Sequence, residues 1–431
     1  MKGLKKYKLS ELYEMSSGIS TKPEQAGHGT PFCSFTTVFN NYFLPHELPD
    51  RMDASLEEQE TYSLKEGDVL LTRTSETLDE LGMSSVAVMD YPAATFSGFL
   101  KRLRPRQTNI TYHKFLAFYL RSPLFRKAMN NNAVMTLRCS LNEQIFSYLD
   151  LLLPDFHQQK KIGDLLYQIY AKIYLNNRIN AELEGMAKLL YDYWFVQFDF
   201  PMTTAQATGL GKPHLTGHPY RASGGKMIYN EVLKREIPEG WNAGTAESLL
   251  IFNPSLSLRD GTEAGFFDMD AVPTCGFMTK AVQRKAFTGG IKFANGDVVV
   301  ARITPCLENG KTALITQLED GQVGFGSTEF IVMRGKARSL SAFGACLARS
   351  EHFRKFAILN MTGTSGRKRI EAPILKTFPL SIPPIALLSI FEDICEPIFQ
   401  KMTANEKENQ ELIQLRDWLL PMLMNGQVTA N

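Results

Sequence analysis

The sequence predicts an α+β chain: two repeated globules of mixed α and β character, each followed by a long helix, with the two helices pairing as an antiparallel coiled coil. Three observations predict it. A series of short motifs recurs about 229 positions apart. Each copy passes from β-rich runs to helical stretches. Each copy then ends in a long segment whose apolar residues fall at heptad spacing.

The repeat is read first, because it organises everything else. "EGDVLLTRT" from Glu66 returns as "NGDVVVARIT" from Asn295, so Gly67-Asp68 matches Gly296-Asp297. "LRSPLFRKAM" from Leu120 returns as "LARSEHFRKFAI" from Leu347, and "LLLPD" as "LSIPP". So long a period indicates a duplicated domain rather than a solenoid. Within each copy, runs such as "DVLLTR", "SSVAVM" and "DVVVARI", "TALITQL" lie between turn residues and read as strands. The stretch 203–226, rich in Gly, Thr, Ser and Pro, reads as the linker between copies. The expected boundaries are a first globule over 1–156, a helix over 157–200, the linker over 201–228, a second globule over 229–384 and a helix over 385–431.

In the first long segment a heptad places Ile162, Ile169, Asn176, Leu183 and Leu190 at a, and Leu165, Lys172, Ile179, Met186 and Tyr193 at d. The second segment, 229 positions on, places Phe391, Ile398, Asn405, Leu412 and Leu419 at a, and Ile394, Lys401, Glu408, Leu415 and Met422 at d. Each helix packing on its own globule would satisfy the same pattern. Pairing explains more, since a buried Asn at matching slots of two helices specifies register at a cost in stability. Asn176 and Asn405 are therefore the expected register residues, and replacing both with Leu is expected to raise stability and loosen register.

Composition narrows the chemistry. The net charge of +2 carries no global signature of a polyanion partner, so any nucleic-acid surface must come from local clusters of Lys and Arg. Six cysteines, none in a C-x-x-C pair, and a charged N-terminal "MKGLKKYKLSELYEM" fit a reduced, cytoplasmic protein with no membrane span. Enzyme signatures fail one by one. "ENGKTAL" lacks the glycine a phosphate loop needs, because Pro305 stands there. His214 and His218 are spaced i, i+4 but lie in the linker, and no other histidine pair has metal-site spacing. No nucleophilic Ser or Cys motif occurs.

Clustered cations remain. "KRLRPR" contains Arg102 and Arg104. Arg138 in "VMTLRCSL" matches Arg367 in "TGTSGRKRI", where Lys368 and Arg369 follow. Arg73 and Arg302 end the paired strands, with Thr74 and Thr304 nearby. Arginine beside hydroxyls and Gly-rich backbone suits phosphate or base-edge contact. These ten residues are the candidate DNA contacts; a solvated surface charge is the plainer reading of any one of them.

At this point the sequence resembles the specificity subunits of type I restriction–modification systems. The likeness is carried by "LPDFHQQKKIGDLLYQIYAKIYLNNRINAELEGMAKLLYDYWFVQFDFP", "YRASGGKMIYNEVLKREIPEGW" and "LRDWLLPMLMNGQV", with the paired "GDVLLTRT" and "GDVVVARIT" strands. The resemblance implies two target recognition domains, each reading half of a bipartite site in double-stranded DNA. It implies helices that fix the gap and dock two methyltransferase subunits. Those partners would carry S-adenosylmethionine, and restriction/translocase subunits ATP and Mg; this chain would carry no cofactor and be non-catalytic. The second copy departs from the pattern, reading "IALLS" where the first reads "HQQKK". The unlike stretches 20–43 and 253–277 predict unlike half-sites and an asymmetric target. A duplicated protein-binding adaptor whose coil recruits partners without DNA stays open as the alternative.

Overall fold

A computed structural model describes residues 4–20, 22–75, 80–132, 139–140, 143–336, 340–364 and 366–428. Arg138 lies outside the described residues. The chain divides into two compact units, one of residues 1–172 with 411–431 and one of residues 173–410. Both divisions fall inside long helices.

Unit 1 is built on a four-stranded antiparallel sheet of β1 (Tyr13–Ser17), β2 (Val69–Thr72), β3 (Ser84–Val86) and β4 (Leu100–Pro105), in the order β1-β4-β2-β3. Unit 2 repeats it with β5 (Leu250–Phe252), β6 (Val298–Ala301), β7 (Thr312–Leu314) and β8 (Phe330–Gly335), in the order β5-β8-β6-β7. The duplication read from "GDV" thus produces one sheet twice. The glycine explains the local turn: Gly67 and Gly296 have φ of 86° and 88°, a region a Cβ disfavours. Asp68 and Asp297 close those turns by accepting the amides of Lys65 (2.8 Å) and Ala294 (2.7 Å).

Each carboxylate has a second role. Asp68 takes a two-pronged ion pair from Arg104 and Asp297 the same from Arg334, and both aspartates are nearly sealed from solvent. Such a pair holds together because every charged atom is matched. A second sheet in each unit carries the unlike stretches. In unit 1 it has three strands, ordered Asp50–Met52, Ala26–Cys33, Thr95–Phe96. In unit 2 it has four, ordered Gln283–Ala286, Glu263–Phe267, Gly324–Gly326, Ile291–Phe293.

The helical pair of each half follows its sheet: α1 (His113–Tyr119) and α2 (Pro123–Asn132), then the long α3 (Phe156–Tyr191). In the second half these are α4 (Ser341–Arg349), α5 (Glu351–Leu359) and the long α6 (Ile385–Met424). The "RS" of the repeat sits between the short helices. Arg121 donates to the carbonyls of Val38, Phe39, Asn41 and Ser84, and Arg349 to those of Pro273, Thr274, Gly276, Gly310 and Thr312. Burial pushes both guanidiniums down to about 10. The motif is thus an internal clasp that gathers carbonyls from loops, a helix end and the first residue of a strand.

The stretch 203–226, read as a linker, packs into unit 2. Thr203 caps a helix over Thr204–Gly209, and Phe200 stacks on Tyr220 and Trp241 at 4.7 and 5.2 Å. Its apolar residues are too sparse to show periodicity, yet Ala207 and Tyr220 are buried in the core of unit 2.

A candidate nucleic-acid interface and the paired helices

The ten candidate cations and threonines separate into two classes. Arg102 and Arg104 are a correction. Arg102 is 8% exposed, bonds the carbonyls of Thr61 and Ser63, and has its guanidinium 5.3 Å from the centre of the Phe96 ring. Burial, then the like charge of Arg104, lowers its pKa. Arg104 is neutralised by Asp68. The run "KRLRPR" forms β4, a central strand, so its residues alternate between two covered faces instead of forming a basic patch. Arg102 is internal, and Arg104, half-buried, is committed to Asp68 and the Ser63 carbonyl, so both leave the candidate surface.

The remaining residues converge in each half. In unit 2 the chain after β6 bridges Ile303 to Arg369, and Arg369 also bridges Thr362. Thr304 and Lys368 exchange bonds: the Thr304 amide donates to the Lys368 carbonyl (3.0 Å), and the Lys368 amide to the Thr304 hydroxyl (3.2 Å). Arg302, Thr304, Arg367, Lys368 and Arg369 thereby occupy one ledge. Arg367 and Lys368 are exposed and have no ion pair among the described residues. Gly363 and Gly366, at φ of 125° and 79°, permit the turn that carries them. In unit 1 the same construction appears as a ladder pairing Thr74 with Ser140. Arg73 is exposed there, and its guanidinium donates to the Gly98 carbonyl at 3.4 Å.

Sequence reading missed the residue beside each of these arginines. The Arg73 amide donates to the Phe99 carbonyl (2.8 Å), and the Arg302 amide to the Glu329 carbonyl (2.9 Å), so Phe99 and Glu329 are equivalents. Phe99 is 61% exposed. Glu329 instead grips Arg369 and faces Arg302, and its carboxyl is held below the usual range by the bond from Arg369. Lys101 adds a cation near Arg73; partial burial, then that neighbouring charge, lowers its pKa. Strand alignment across the repeat is the signal that finds these residues, and it needs the β4/β8 register.

The helix contacts correct the heptad. Leu165, Met186 and Tyr193, all placed at d, are 38–57% exposed, as are Ile394 and Leu415 at 43%. The covered positions are a and the residue four on: Ile162, Leu166, Ile169, Asn176, Ala187 and Trp194 in α3 and just beyond it, and Phe391, Cys395, Met402, Asn405, Asn409 and Leu423 in α6. A stripe that is apolar at both three- and four-residue steps does not reveal which flank is covered.

Shifting the seam doubles the polar layer, because Asn180 and Asn409 now join Asn176 and Asn405. Within unit 2, Asn176 donates to Asn409 Oδ1 (3.0 Å) and to Glu408 (2.8 Å), Asn405 donates to Asn180 Oδ1 (2.8 Å), and Asn409 donates to Asn177 (2.8 Å). The pairs 176–409 and 180–405 run antiparallel and exchange under the repeat, as a two-fold arrangement requires. Within unit 1, Leu420, Leu423 and Met424 share a core with Ile162 and Leu166.

Among the described residues no group of three or more His, Cys, Asp or Glu could hold a metal, and no helix is long and apolar enough to cross a membrane.

Comparison with known proteins follows the same lines. Residues 1–185 match the type I restriction modification DNA specificity domain. The type I restriction enzyme EcoEI specificity subunit of Escherichia coli is 28% identical over 205 residues, which is 44% of this chain and only 34% of that subunit's length. The HindI specificity subunit of Haemophilus influenzae is 24% identical across 99% of this chain and 100% of its own. A crystal structure of a type I system S subunit from M. genitalium superposes with a TM-score of 0.59 at 11% identity, covering 97% of this chain and 96% of that one. It shares this mixed α/β fold with long helices. The chain resembles type I restriction–modification specificity subunits along its whole length, and its first 185 residues match their DNA specificity domain.

Proposed function

We propose that this chain is the non-catalytic DNA-reading subunit of a type I restriction–modification complex. Each globule reads one half of an asymmetric bipartite target in double-stranded DNA. The two long helices act as an antiparallel coiled-coil spacer that sets the gap. Exposed apolar residues on the long helices, Leu165 and Leu415 in unit 1 and Met186 and Ile394 in unit 2, suit docking of two methyltransferase subunits. Those subunits would bring S-adenosylmethionine, and restriction/translocase subunits ATP and Mg.

The observation that carries this reading is the ledge built twice. At the same repeat positions an arginine adjoins a strand bridge, Arg73 beside the Thr74–Ser140 pair and Arg302 beside the Ile303–Arg369 bridge, on scaffolds whose interiors match and whose rims differ. Exposed cations of this kind supply the salt-dependent part of DNA affinity, and unlike rims supply different base preferences. Co-expression with the cognate methyltransferase, followed by genome-wide methylation mapping, tests it. A bipartite motif with two unlike halves is expected. A palindromic motif would remove the asymmetric reading, and a co-purified complex that leaves DNA unmethylated and unbound would leave the adaptor.

A further inference from the structure

Glu329 sits at the root of the unit 2 ledge. Its carboxylate takes both oxygens to Arg369 Nε at 3.0 Å and one to Arg369 Nη2 at 2.7 Å, and it lies 3.9 Å from Arg302 Nε. Arg302 pairs onward with Glu371. Two guanidiniums and two carboxylates thus form an alternating chain with no net charge. Arg367 and Lys368, the adjoining residues, carry no such partner among the described residues. Arg302 Nε is buried with no acceptor, a donor left over inside a cluster that is otherwise matched. Unit 1 has Phe99 at the Glu329 position, so Arg73 is not restrained there by a carboxylate at this point of the fold.

We propose that Glu329 is a specificity-determining positioning residue: it keeps Arg302 and Arg369 neutralised and aimed until a matching base edge or phosphate takes its place. This rests on the DNA-reading function proposed above. A guanidinium held in a two-pronged pair keeps its fork orientation. A cation already paired with a carboxylate releases no counterion when DNA arrives, so it adds nothing to non-specific binding. DNA of the wrong sequence then meets only Arg367 and Lys368, with the Glu329 charge opposing closer approach. The correct half-site offers acceptors that displace the carboxylate.

The test uses the complete complex with its methyltransferase subunits and two duplexes, one carrying the mapped target and one with the half-site of the second globule scrambled. Glu329→Gln keeps the shape and removes the charge. For the scrambled duplex, the slope of log affinity against log salt should steepen by about 0.9, because removing one carboxylate from the neutral cluster uncovers one positive charge while Arg302 keeps Glu371. Each cation is worth roughly a threefold change between ~50 and ~200 mM salt, so discrimination between the duplexes should fall accordingly. Glu371→Gln also uncovers one charge, on the Arg302 side, and should steepen the slope by a similar ~0.9. If Glu329→Gln is folded and leaves slope and discrimination unchanged, the proposal is overturned. If that variant does not fold, Glu371→Gln decides, and an unchanged slope overturns it. A wild-type complex that binds both duplexes alike would instead overturn the DNA-reading function itself.

Discussion

The first and second halves dock their short helices onto the long ones by different means. In unit 1, Gly163 lets the start of α1 come so close that an added Cβ would lie 2.6 Å from the Phe115 amide nitrogen. Gln159 completes the joint by accepting from the Tyr112 amide and donating to the carbonyls of Ile110 and Pro154. In unit 2 the position of Gly163 holds Glu392, whose two oxygens accept the amides of Ala342 and Phe343 at the N-terminus of α4. One half removes a side chain to gain contact, and the other inserts a carboxylate where the helix end presents unbonded N–H groups. By contrast, the interior clasps Arg104–Asp68 with Arg334–Asp297, and Arg121 with Arg349, are the same in both. The difference teaches that the two copies share the scaffold's interior arginine contacts while their joints and rims have diverged.

The largest expected effect tests that sameness. Asp68→Ala and Asp297→Ala each strand a guanidinium whose partner lay almost fully buried, at a cost of about 3–5 kcal/mol in the affected unit. Urea titration followed by hydrogen exchange of β2 and β6 separates the units. Similar losses support a shared scaffold, and a small loss in one half alone would break the comparison.

Next is the asparagine layer. Asn176→Leu with Asn405→Leu removes one member of each cross-helix pair and leaves the half-buried Asn180 and the buried Asn409 without those partners, so stability should fall by roughly 2 kcal/mol. This reverses the expectation from sequence, which saw one register asparagine per helix rather than two. Changing all four asparagines to Leu should recover the loss, because no half-satisfied group remains. Thermal unfolding of both variants decides, and a stabilised double variant would mean the network contributes nothing.

How much of this was legible beforehand follows from what periodicity encodes. The duplication, the mixed α/β halves and the long helices follow from motif spacing and apolar pattern, which depend on local sequence. The covered flank of each helix does not, since a wide apolar stripe fits two partner positions and only the packing of Ala187 and Cys395 selects one. Arg102 looked like surface because a basic run reads as a patch, while strand β4 turns it inward under Phe96. Phe99 and Glu329 were invisible because nothing in their own neighbourhoods marks them; their equivalence appears only once Arg73 and Arg302 are seen bonded to them.

A smaller effect distinguishes the two docking joints by pH. Burial raises the Glu392 carboxyl to about 7, against the opposing pull of its two amide bonds. The folded state therefore holds this proton more tightly than the unfolded state does. Its contribution is full below about 4.5 and declines as pH rises through about 7. Protection of α4 should weaken by on the order of 1 kcal/mol between pH 5 and 8 after correction for intrinsic exchange, while α1 should not weaken, because burial lowers the pKa of its own His113 and that contribution rises with pH. Glu392→Gln should flatten the α4 profile, and an unchanged slope in that variant would assign the titration elsewhere.

The smallest change in stability belongs to Phe99, and it sharpens the rim comparison most directly. A ring 61% exposed contributes little to folding, so Phe99→Ala should move stability by less than about 0.5 kcal/mol. Its loss should still weaken binding to the mapped target by up to about 1 kcal/mol, because an exposed ring beside an arginine offers apolar contact to a base edge such as a thymine methyl. Phe99→Glu goes further and gives unit 1 the carboxylate that unit 2 carries. If position 99 faces Arg73 as position 329 faces Arg302, the new charge should neutralise Arg73 and lower the salt slope by about 0.9. Phe99→Ala should leave the slope unchanged, since it alters no charge. A slope that stays at the wild-type value in Phe99→Glu would show that the two rims, though equivalent in the fold, do not meet DNA in the same way.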